Sequence, residues 1–321
     1  MLMLVYGVAF AIIFMFLSFV IEWIERKLVA KVQNRIGPYF TGPKGLLQPL
    51  ADFLKLMSKE EITPIGADYL LLTIIPILLV TLSAFVLMFI PIFTPTPLIS
   101  YPADLIYIIG LSASIGALIV LTGYVNPGPY SNVGAARFGE LFISFEIPFA
   151  IAVAVPALIS GSASIAEIVG FQAQNFPIIL YAPIGFLIML VSLIAKVEKI
   201  PFDVGEAETE IAGGWQVELS GRRLAFYRLA MNMETLFATV LCVALYLGGG
   251  YGPFVDTFGP VMYFVWFFVK LTIVIFIISV IEGILARLRI DQVLRFFWKY
   301  MVPLAFLQLL FALVVRFIMT L

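Results

Sequence analysis

The sequence lacks histidine altogether and contains a single cysteine, Cys242. Histidine and cysteine are the ordinary protein ligands of haem, iron–sulfur clusters, zinc and copper, so we expect no metal site and no such cofactor in this chain. A single thiol also excludes a disulfide within the chain. Any redox centre that works with this protein is therefore predicted to belong to a partner.

Charged residues are scarce as well. They make up 12% of the 321 residues, about half the usual share of a soluble domain. Aliphatic and aromatic residues make up 62%. This composition predicts an integral membrane protein that lies in a lipid bilayer. The formal net charge of −1 gives no basis for binding nucleic acid.

Long apolar stretches recur along the chain. Each has about 20 residues, enough for a helix that crosses about 30 Å of hydrocarbon. They cover residues 3–24, 69–91, 104–125, 141–160, 177–197, 229–248, 260–286 and 302–320. No soluble domain or long linker separates them. We therefore predict an all-α polytopic membrane protein, a single integral membrane domain over residues 1–321 with about eight transmembrane helices.

Basic residues cluster in alternate connections between these spans. Of the 19 basic residues, 17 follow the first span, precede the fourth, or lie between the fifth and sixth or the seventh and eighth. The connections 91–103 and 161–177 contain none. By the positive-inside rule we expect the odd-numbered connections in the cytoplasm and both termini outside.

The first of these connections contains an amphipathic segment, residues 43–59. Its apolar side chains recur at helical spacing, with polar side chains opposite, and they are Leu46, Leu47, Leu50, Phe53, Leu54 and Met57. We predict a regular helix over about 47–58 that lies along the cytoplasmic membrane surface. Two interpretations stay open: a simple interfacial anchor, or a wall for a partner's redox site.

Several ionisable residues fall within or at the edges of the predicted spans, namely Glu22, Glu25, Glu140, Glu146, Glu234, Lys270 and Glu282. A charge at the centre of a membrane helix costs roughly 2.5–3.5 kcal/mol on insertion scales, so these side chains should face one another or water. Acids in differing environments can pass a proton along a chain. The pattern predicts a proton or ion relay. A static buried ion pair that fixes helix packing is the alternative.

The connection between the fifth and sixth spans is acidic. Its clustered carboxylates are Asp203, Glu206, Glu208 and Glu210. An ordinary solvated loop explains acids, but it does not explain the apolar Phe202, Ile211 and Trp215 among them. We predict a folded cytoplasmic coupling loop over residues 198–226 that another protein covers.

Longer motifs occur in order along nearly the whole chain. They read Glu25-Arg26-Lys27, Gln33-Asn34-Arg35-Ile36-Gly37-Pro38, Gly42-Pro43-Lys44-Gly45-Leu46-Leu47-Gln48-Pro49-Leu50-Ala51-Asp52, Ser144-Phe145-Glu146-Ile147-Pro148, Pro201-Phe202-Asp203, Glu218-Leu219-Ser220-Gly221 and Arg287-Leu288-Arg289-Ile290-Asp291-Gln292. Together they resemble the respiratory complex I subunit 1 family, whose members are quinone-site membrane subunits.

The resemblance implies a subunit that docks a peripheral redox arm and links it to ion pumping. It implies as partners peripheral large and small subunits, an iron–sulfur subunit and antiporter-like membrane subunits. Iron–sulfur clusters and any NiFe centre would then lie in those partners. The residues that it implies at the arm interface are Arg26, Lys27, Arg35, Asp52, Arg287, Arg289 and Asp291. It also adds Glu218 to the coupling loop.

The acidic loop departs from the complex I pattern. There Arg-Ala usually precedes Pro-Phe-Asp and Leu-Pro-Glu follows, whereas here Lys199-Ile200 precede and Val204-Gly205-Glu206 follow. This is similar to the membrane subunit of energy-converting NiFe membrane-bound hydrogenases. We therefore expect the coupling subunit of a ferredoxin-dependent hydrogenase in the plasma membrane of a prokaryote. The same subunit of a quinone oxidoreductase or of a sulfur-reducing complex, and a structural anchor without ion conduction, are the alternatives.

Overall fold

The apolar stretches fold as helices. The computed structural model describes residues 2–320, and within that range it contains no strand. The helices are α1 (Leu2–Val32), α2 (Gln48–Met57), α3 (Tyr69–Leu87), α4 (Asp104–Val125), α5 (Pro129–Ser160), α6 (Ile165–Gln174), α7 (Ile178–Tyr181), α8 (Pro183–Lys196), α9 (Glu208–Ile211), α10 (Gly221–Tyr246), α11 (Val255–Phe258), α12 (Pro260–Ile284), α13 (Ile290–Phe296) and α14 (Val302–Thr320). The predicted all-α class is confirmed.

Seven membrane-spanning candidates occur among the described residues, and α8 is a shorter apolar helix. The last candidate is continuous from Ile290 to Met319, because a π-helical turn joins α13 to α14. The predicted span 177–197 is a broken helix: α7 ends before Ala182, and α8 starts at Pro183. Proline suits that first helical position, since its missing N–H is needed by no helical bond there. The multi-pass architecture is thus confirmed.

Three helices continue beyond the predicted spans at one end of the bundle. α1 runs on to Val32, α5 begins already at Pro129, and α10 begins at Gly221. Hydropathy detects only the part of a helix that lies at lipid depth, whereas backbone hydrogen bonds carry the helix onward into water. As a result Glu25 lies within α1, and α10 takes up the last residues of the predicted coupling loop.

Helix α10 lies at the centre of the bundle. Every residue from Met233 to Tyr246 is buried, and the helix packs against α1, α2, α3, α8 and α12. A helix enclosed on all sides must be apolar around its whole circumference, which this stretch nearly is. Its one carboxylate, Glu234, therefore points into protein and not into lipid.

Three connections meet at one end of the bundle, which we call the charged end: residues 33–68, 197–220 and 285–289. The amide of Leu288 donates to the Pro201 carbonyl at 3.0 Å, and the amide of Ile62 donates to Ser220 Oγ at 2.8 Å. These bonds tie the connections to one another. The side of the membrane that this end faces stays a prediction.

Helix α2 agrees with the predicted 47–58 to within one residue at each end. The ring of Phe53 lies 5.8 Å from that of Phe19 on α1 and 6.3 Å from that of Phe226 on α10. Part of its apolar side therefore packs on the bundle itself. Its placement along a membrane surface stays a prediction.

Candidate functional site

A lysine and two glutamates meet inside the bundle. Lys196, the last residue of α8, places its Nζ 3.7 Å from Oε2 of Glu146 on α5 and 3.9 Å from Oε1 of Glu234 on α10. Lys196 and Glu234 are each only 1% exposed. We call these three residues the central cluster. It joins three different helices through one ammonium group.

The ammonium of Lys196 has few strong partners. It donates to the carbonyl of Ser112 at 3.2 Å and lies 5.1 Å from the ring centroid of Phe149. Both oxygens of Glu146, and Oε2 of Glu234, are buried without a hydrogen-bond donor among the residues that the structure describes. Leaving a buried polar atom unsatisfied costs about 1–3 kcal/mol, and more for a charged group. The cluster therefore favours water or a proton at these oxygens.

A cavity of about 710 Å³ opens at the charged end, between α1, α10, α12 and the 197–220 connection. Half of the side chains that line it are ionisable: Glu22, Glu25, Arg26, Arg35, Glu198, Lys199, Glu206, Glu208, Arg228 and Glu282. We call it the charged cavity. Such a lining offers many hydrogen-bonding groups to water, so the cavity can hold a hydrated path.

Cations pair with the acids of α1 on the cavity wall. Lys199 Nζ lies 2.9 Å from Glu25 Oε1, and Arg26 pairs with Glu22 one turn away on the same helix. Burial by itself would lower the pKa of Lys199, but the carboxylates of Glu25 and Glu282 raise it above its ordinary value. Lys199 therefore stays a cation within the cavity.

The residues expected at the arm interface lie at the charged end in differing roles. Arg26 Nη1 pairs with Asp52 Oδ2 at 2.9 Å, which fastens α2 to α1. Lys27 lies 5.5 Å from the ring centroid of Tyr39. Four further residues of this set are exposed, and they are Arg35, Arg287, Arg289 and Asp291. These positions leave them accessible to a partner.

The acidic connection is folded onto the bundle. Phe202, Ile211 and Trp215 are all buried. Asp203 Oδ2 pairs with Arg287 at 2.7 Å, and Glu210 Oε2 pairs with Arg137 of α5 at 2.5 Å. Glu206 accepts a hydrogen bond from Gln216, and Glu218 packs beside Gly128. Glu208 lies exposed at the cavity rim.

Burial shifts the acids of this loop toward neutrality. It raises the pKa of Asp203 to about 6, although the Arg287 guanidinium opposes the shift. It raises the pKa of Glu206 to about 7, where the charge of Asp203 adds to the effect and Lys199 opposes it. Both carboxyls can therefore gain or lose protons near neutral pH, as a group that responds to a neighbouring redox event must.

Two predicted relay residues lie apart from the others. Glu140 is exposed on the outside of α5. Lys270 donates to the carbonyls of Leu247, Gly249 and Tyr251 at 2.7, 2.9 and 2.7 Å. It thereby caps the C-terminal end of α10, at the opposite end of that helix from the charged cavity. The predicted relay residues that do share one region are Glu22, Glu25 and Glu282 at the cavity and Glu146 and Glu234 in the central cluster.

Sequence reasoning missed two buried residues at the end of α8, Lys196 and Glu198. Both looked like ordinary charges at a cytoplasmic helix end. The available signal was an excess of ionisable residues after one apolar run, since Lys196, Glu198 and Lys199 fall within four residues. Hydropathy gives the depth of a residue but not the direction of its side chain, so it could not show that they point inward. Among the described residues, no group of three acidic or cysteine side chains could hold a metal ion.

An all-helical bundle with seven long apolar helices among the described residues, ionisable side chains in its interior and a charged cavity at one end is a multi-pass membrane protein. The family model described as NADH dehydrogenase matches residues 5–313. The chain therefore belongs to that family, the complex I subunit 1 family, as its motifs predict.

Curated relatives agree with this assignment. The H subunit of NADH-quinone oxidoreductase from Dehalococcoides mccartyi is 37% identical over 289 residues, which cover 89% of this chain and 79% of the relative. The corresponding protein of Thermomicrobium roseum is 33% identical over 89% of this chain and 88% of its own length. An H subunit of the same enzyme from Syntrophobacter fumaroxidans is 34% identical over 90% and 88%. All three names are respiratory, so they give no support to the expected hydrogenase likeness.

Substituting Glu206 tests the raised pKa in the coupling loop. Between about pH 4 and pH 7 the folded protein holds a proton that the unfolded chain releases, so this group's contribution to stability falls as pH rises through that window. Glu206→Gln removes the effect while keeping an oxygen for Gln216. We expect the unfolding temperature of the variant, relative to the parent, to be higher at about pH 9 than at about pH 5.

Thermal unfolding in detergent at the two pH values measures this difference. Glu208→Gln is the matched control, because Glu208 is exposed in the same loop. If the unfolding temperature of Glu206→Gln differs from that of the parent by the same amount at both pH values, the assigned pKa is contradicted.

Replacing Lys270 with methionine tests its role as a helix cap. Removing the ammonium leaves three partly buried carbonyls without their donor, so we expect a loss of roughly 1–3 kcal/mol in unfolding free energy. Lys299→Met, at an exposed position, should change the stability little. An unchanged unfolding temperature together with lost ion translocation would instead favour a relay role for Lys270.

Proposed function

We propose that this chain is the membrane coupling subunit of a multisubunit complex I-type quinone oxidoreductase. In this role it docks the peripheral redox arm and links electron transfer there to H⁺ or Na⁺ translocation. Family membership and the respiratory names of the relatives support a complex I membrane subunit over a hydrogenase. Redox centres belong to the arm, and further membrane subunits complete the ion path.

The observation that carries the proposal is the placement of two groups of ionisable residues at successive depths. The first group surrounds the charged cavity, where the pKa of Glu206 lies near neutrality, and Asp203 of the same connection also has a raised pKa. The second is the central cluster of Lys196, Glu146 and Glu234 inside the bundle. Charges so deep in a membrane helix bundle are costly and usually mark an ion path.

The charged end also has the surface that a docked arm requires. Ile36 is 85% exposed and Phe40 is 95% exposed, next to the cation of Arg35. Apolar groups presented together beside charges mark a protein interaction site. A partner seated there would lie directly over the charged cavity, since Arg35 lines it. Electron transfer in that partner would change the field that Glu206 and Asp203 experience.

The energetics allow such coupling. A two-electron drop of about 100 mV releases roughly 4.6 kcal/mol. Moving one unit charge against about 180 mV costs roughly 4 kcal/mol. One ion per electron pair is then attainable only when little energy is dissipated, so the coupling groups must have defined positions.

A ferredoxin-dependent hydrogenase is a second candidate, because two observations favour it. The loop sequence Val204-Gly205-Glu206 follows the hydrogenase pattern, and the cavity wall is half ionisable, which gives a long apolar quinone tail little to pack on. Assay of the purified complex separates the two: reduction of a quinone supports the first candidate, and hydrogen evolution from reduced ferredoxin supports the second.

Neutral substitutions in the central cluster test the coupling role. Glu146→Gln and Glu234→Gln remove an exchangeable charge while keeping the side-chain size, so we expect the ratio of ions moved to electrons transferred to fall by roughly tenfold or more. The measurement is ion uptake into vesicles that contain the assembled complex. Glu167→Gln, at an exposed position of α6, is the control and should leave the ratio unchanged. Full ion uptake in both cluster variants would favour a purely structural anchor.

A further inference from the structure

Glu198 is a buried acid on the wall of the charged cavity. One residue, Val197, separates it from the end of α8, and Glu198 is only 5% exposed. Its Oε2 accepts a hydrogen bond from the indole N–H of Trp215 at 3.4 Å. Its Oε1 is buried and has no hydrogen-bond partner among residues 2–320. The residue lines the charged cavity, so this unsatisfied oxygen belongs to a carboxyl group at a hydrated boundary.

The surroundings of Glu198 connect the two sets of ionisable residues. The negative charge of Glu206 in the coupling loop raises the pKa of Glu198, and the charges of Asp203 in that loop and Glu234 in the central cluster act in the same direction. In sequence it stands two residues from Lys196, whose ammonium lies between Glu146 and Glu234.

Gly205 provides the space that the Glu198 carboxylate occupies. A Cβ at position 205 would lie 2.6 Å from Glu198 Oε2 and 3.0 Å from Phe138 Cβ. Any larger residue would therefore displace the carboxylate or the loop. Gly214 is close-packed in the same way, because a Cβ there would collide with the Gly205 carbonyl oxygen. Two glycines thus allow the coupling loop to close tightly over Glu198.

The charge state of Glu198 follows from this environment. Burial raises its pKa well above the ordinary value, the negative charge of Glu206 adds to the rise, and the Trp215 hydrogen bond opposes it. The environment therefore favours the protonated, neutral form of the Glu198 carboxyl group.

We propose that Glu198 is the proton carrier between the charged cavity and the central cluster, and that Gly205 keeps the room in which its carboxyl group lies. This inference rests on the coupling function proposed above. In the transfer, the O–H bond of Glu198 breaks and its proton passes through water to the Glu234 carboxylate. A proton from Glu206 or cavity water then restores the carboxylic acid. No electron is exchanged, and the total charge is conserved at each step.

The first test is Glu198→Gln in the assembled complex, reconstituted in lipid vesicles. The amide oxygen can still accept from Trp215, so the fold contact is kept while the exchangeable proton is lost. We expect the ratio of protons moved to electrons transferred to fall by roughly tenfold or more. Glu198→Asp retains an acid and should recover part of that ratio.

Infrared difference spectroscopy gives a readout that a merely structural role would not move. The parent complex at neutral pH should show the carbonyl stretch of a protonated carboxylic acid that is absent from Glu198→Gln. Gly205→Ala leaves Glu198 and Glu206 in place but crowds the carboxyl group of Glu198. It should therefore shift that carbonyl band and lower the ratio of protons moved to electrons transferred. If Glu198→Gln fails to assemble, the Gly205→Ala result decides: no shift and an unchanged ratio would overturn the proposal.

The outcome also separates this inference from the coupling function itself. Normal proton movement in Glu198→Gln together with its loss in Glu146→Gln would overturn the role of Glu198 and leave the coupling function intact. Normal movement in both variants would overturn both. Loss in both variants, with the carboxylic acid band assigned to Glu198, supports the proposed carrier.

Discussion

The burial of one lysine between acids of two other helices is the constraint on which the rest of the bundle depends. The ammonium of Lys196 on α8 lies between the carboxylates of Glu146 on α5 and Glu234 on α10. Removing one partner of such a buried set costs about 3–5 kcal/mol, because the remaining charge is left uncompensated. The three helices must therefore keep one relative depth and rotation. Helix α10 can meet this demand because neighbours enclose it on every side.

At the charged end, pairs of opposite charges also hold segments together, and these pairs are partly exposed. Lys199 faces Glu25, Arg26 joins Glu22 to Asp52, and Arg287 holds Asp203. Except for Arg26 and Glu22, which lie on the same helix, each pair joins two different segments, so the charges fasten the loops as well as set the local potential. A change of charge in a docked partner would act first on these pairs. The central cluster lies deeper, where screening by water is weaker and the same change of field has a larger effect.

Hydropathy predicts the all-α multi-pass fold because lipid imposes a minimum length on every span, but it misses the break at Ala182 within residues 177–197. The acids Glu146 and Glu234 could also be singled out, since a carboxylate in an apolar run is rare. The cation that pairs with these acids could not be predicted. Lys270 lies near the middle of its predicted span, yet it caps the end of α10 that is remote from the charged cavity. Lys196 counts in the sequence only as one of the basic residues between the fifth and sixth spans, yet it is buried. Sequence position fixes depth along a helix, whereas helix rotation and packing decide what a side chain meets.

The departure of the acidic loop from the respiratory pattern also has a steric reading. Gly205 stands where proline is usual in complex I, and the Cβ of any such residue would meet the carboxylate of Glu198. Glycine at position 205 and the acid at position 198 therefore depend on each other, because they share the same space. The departure of this loop from the respiratory pattern therefore goes together with an acid at position 198, whose carboxylate takes the space that a larger residue at position 205 would fill.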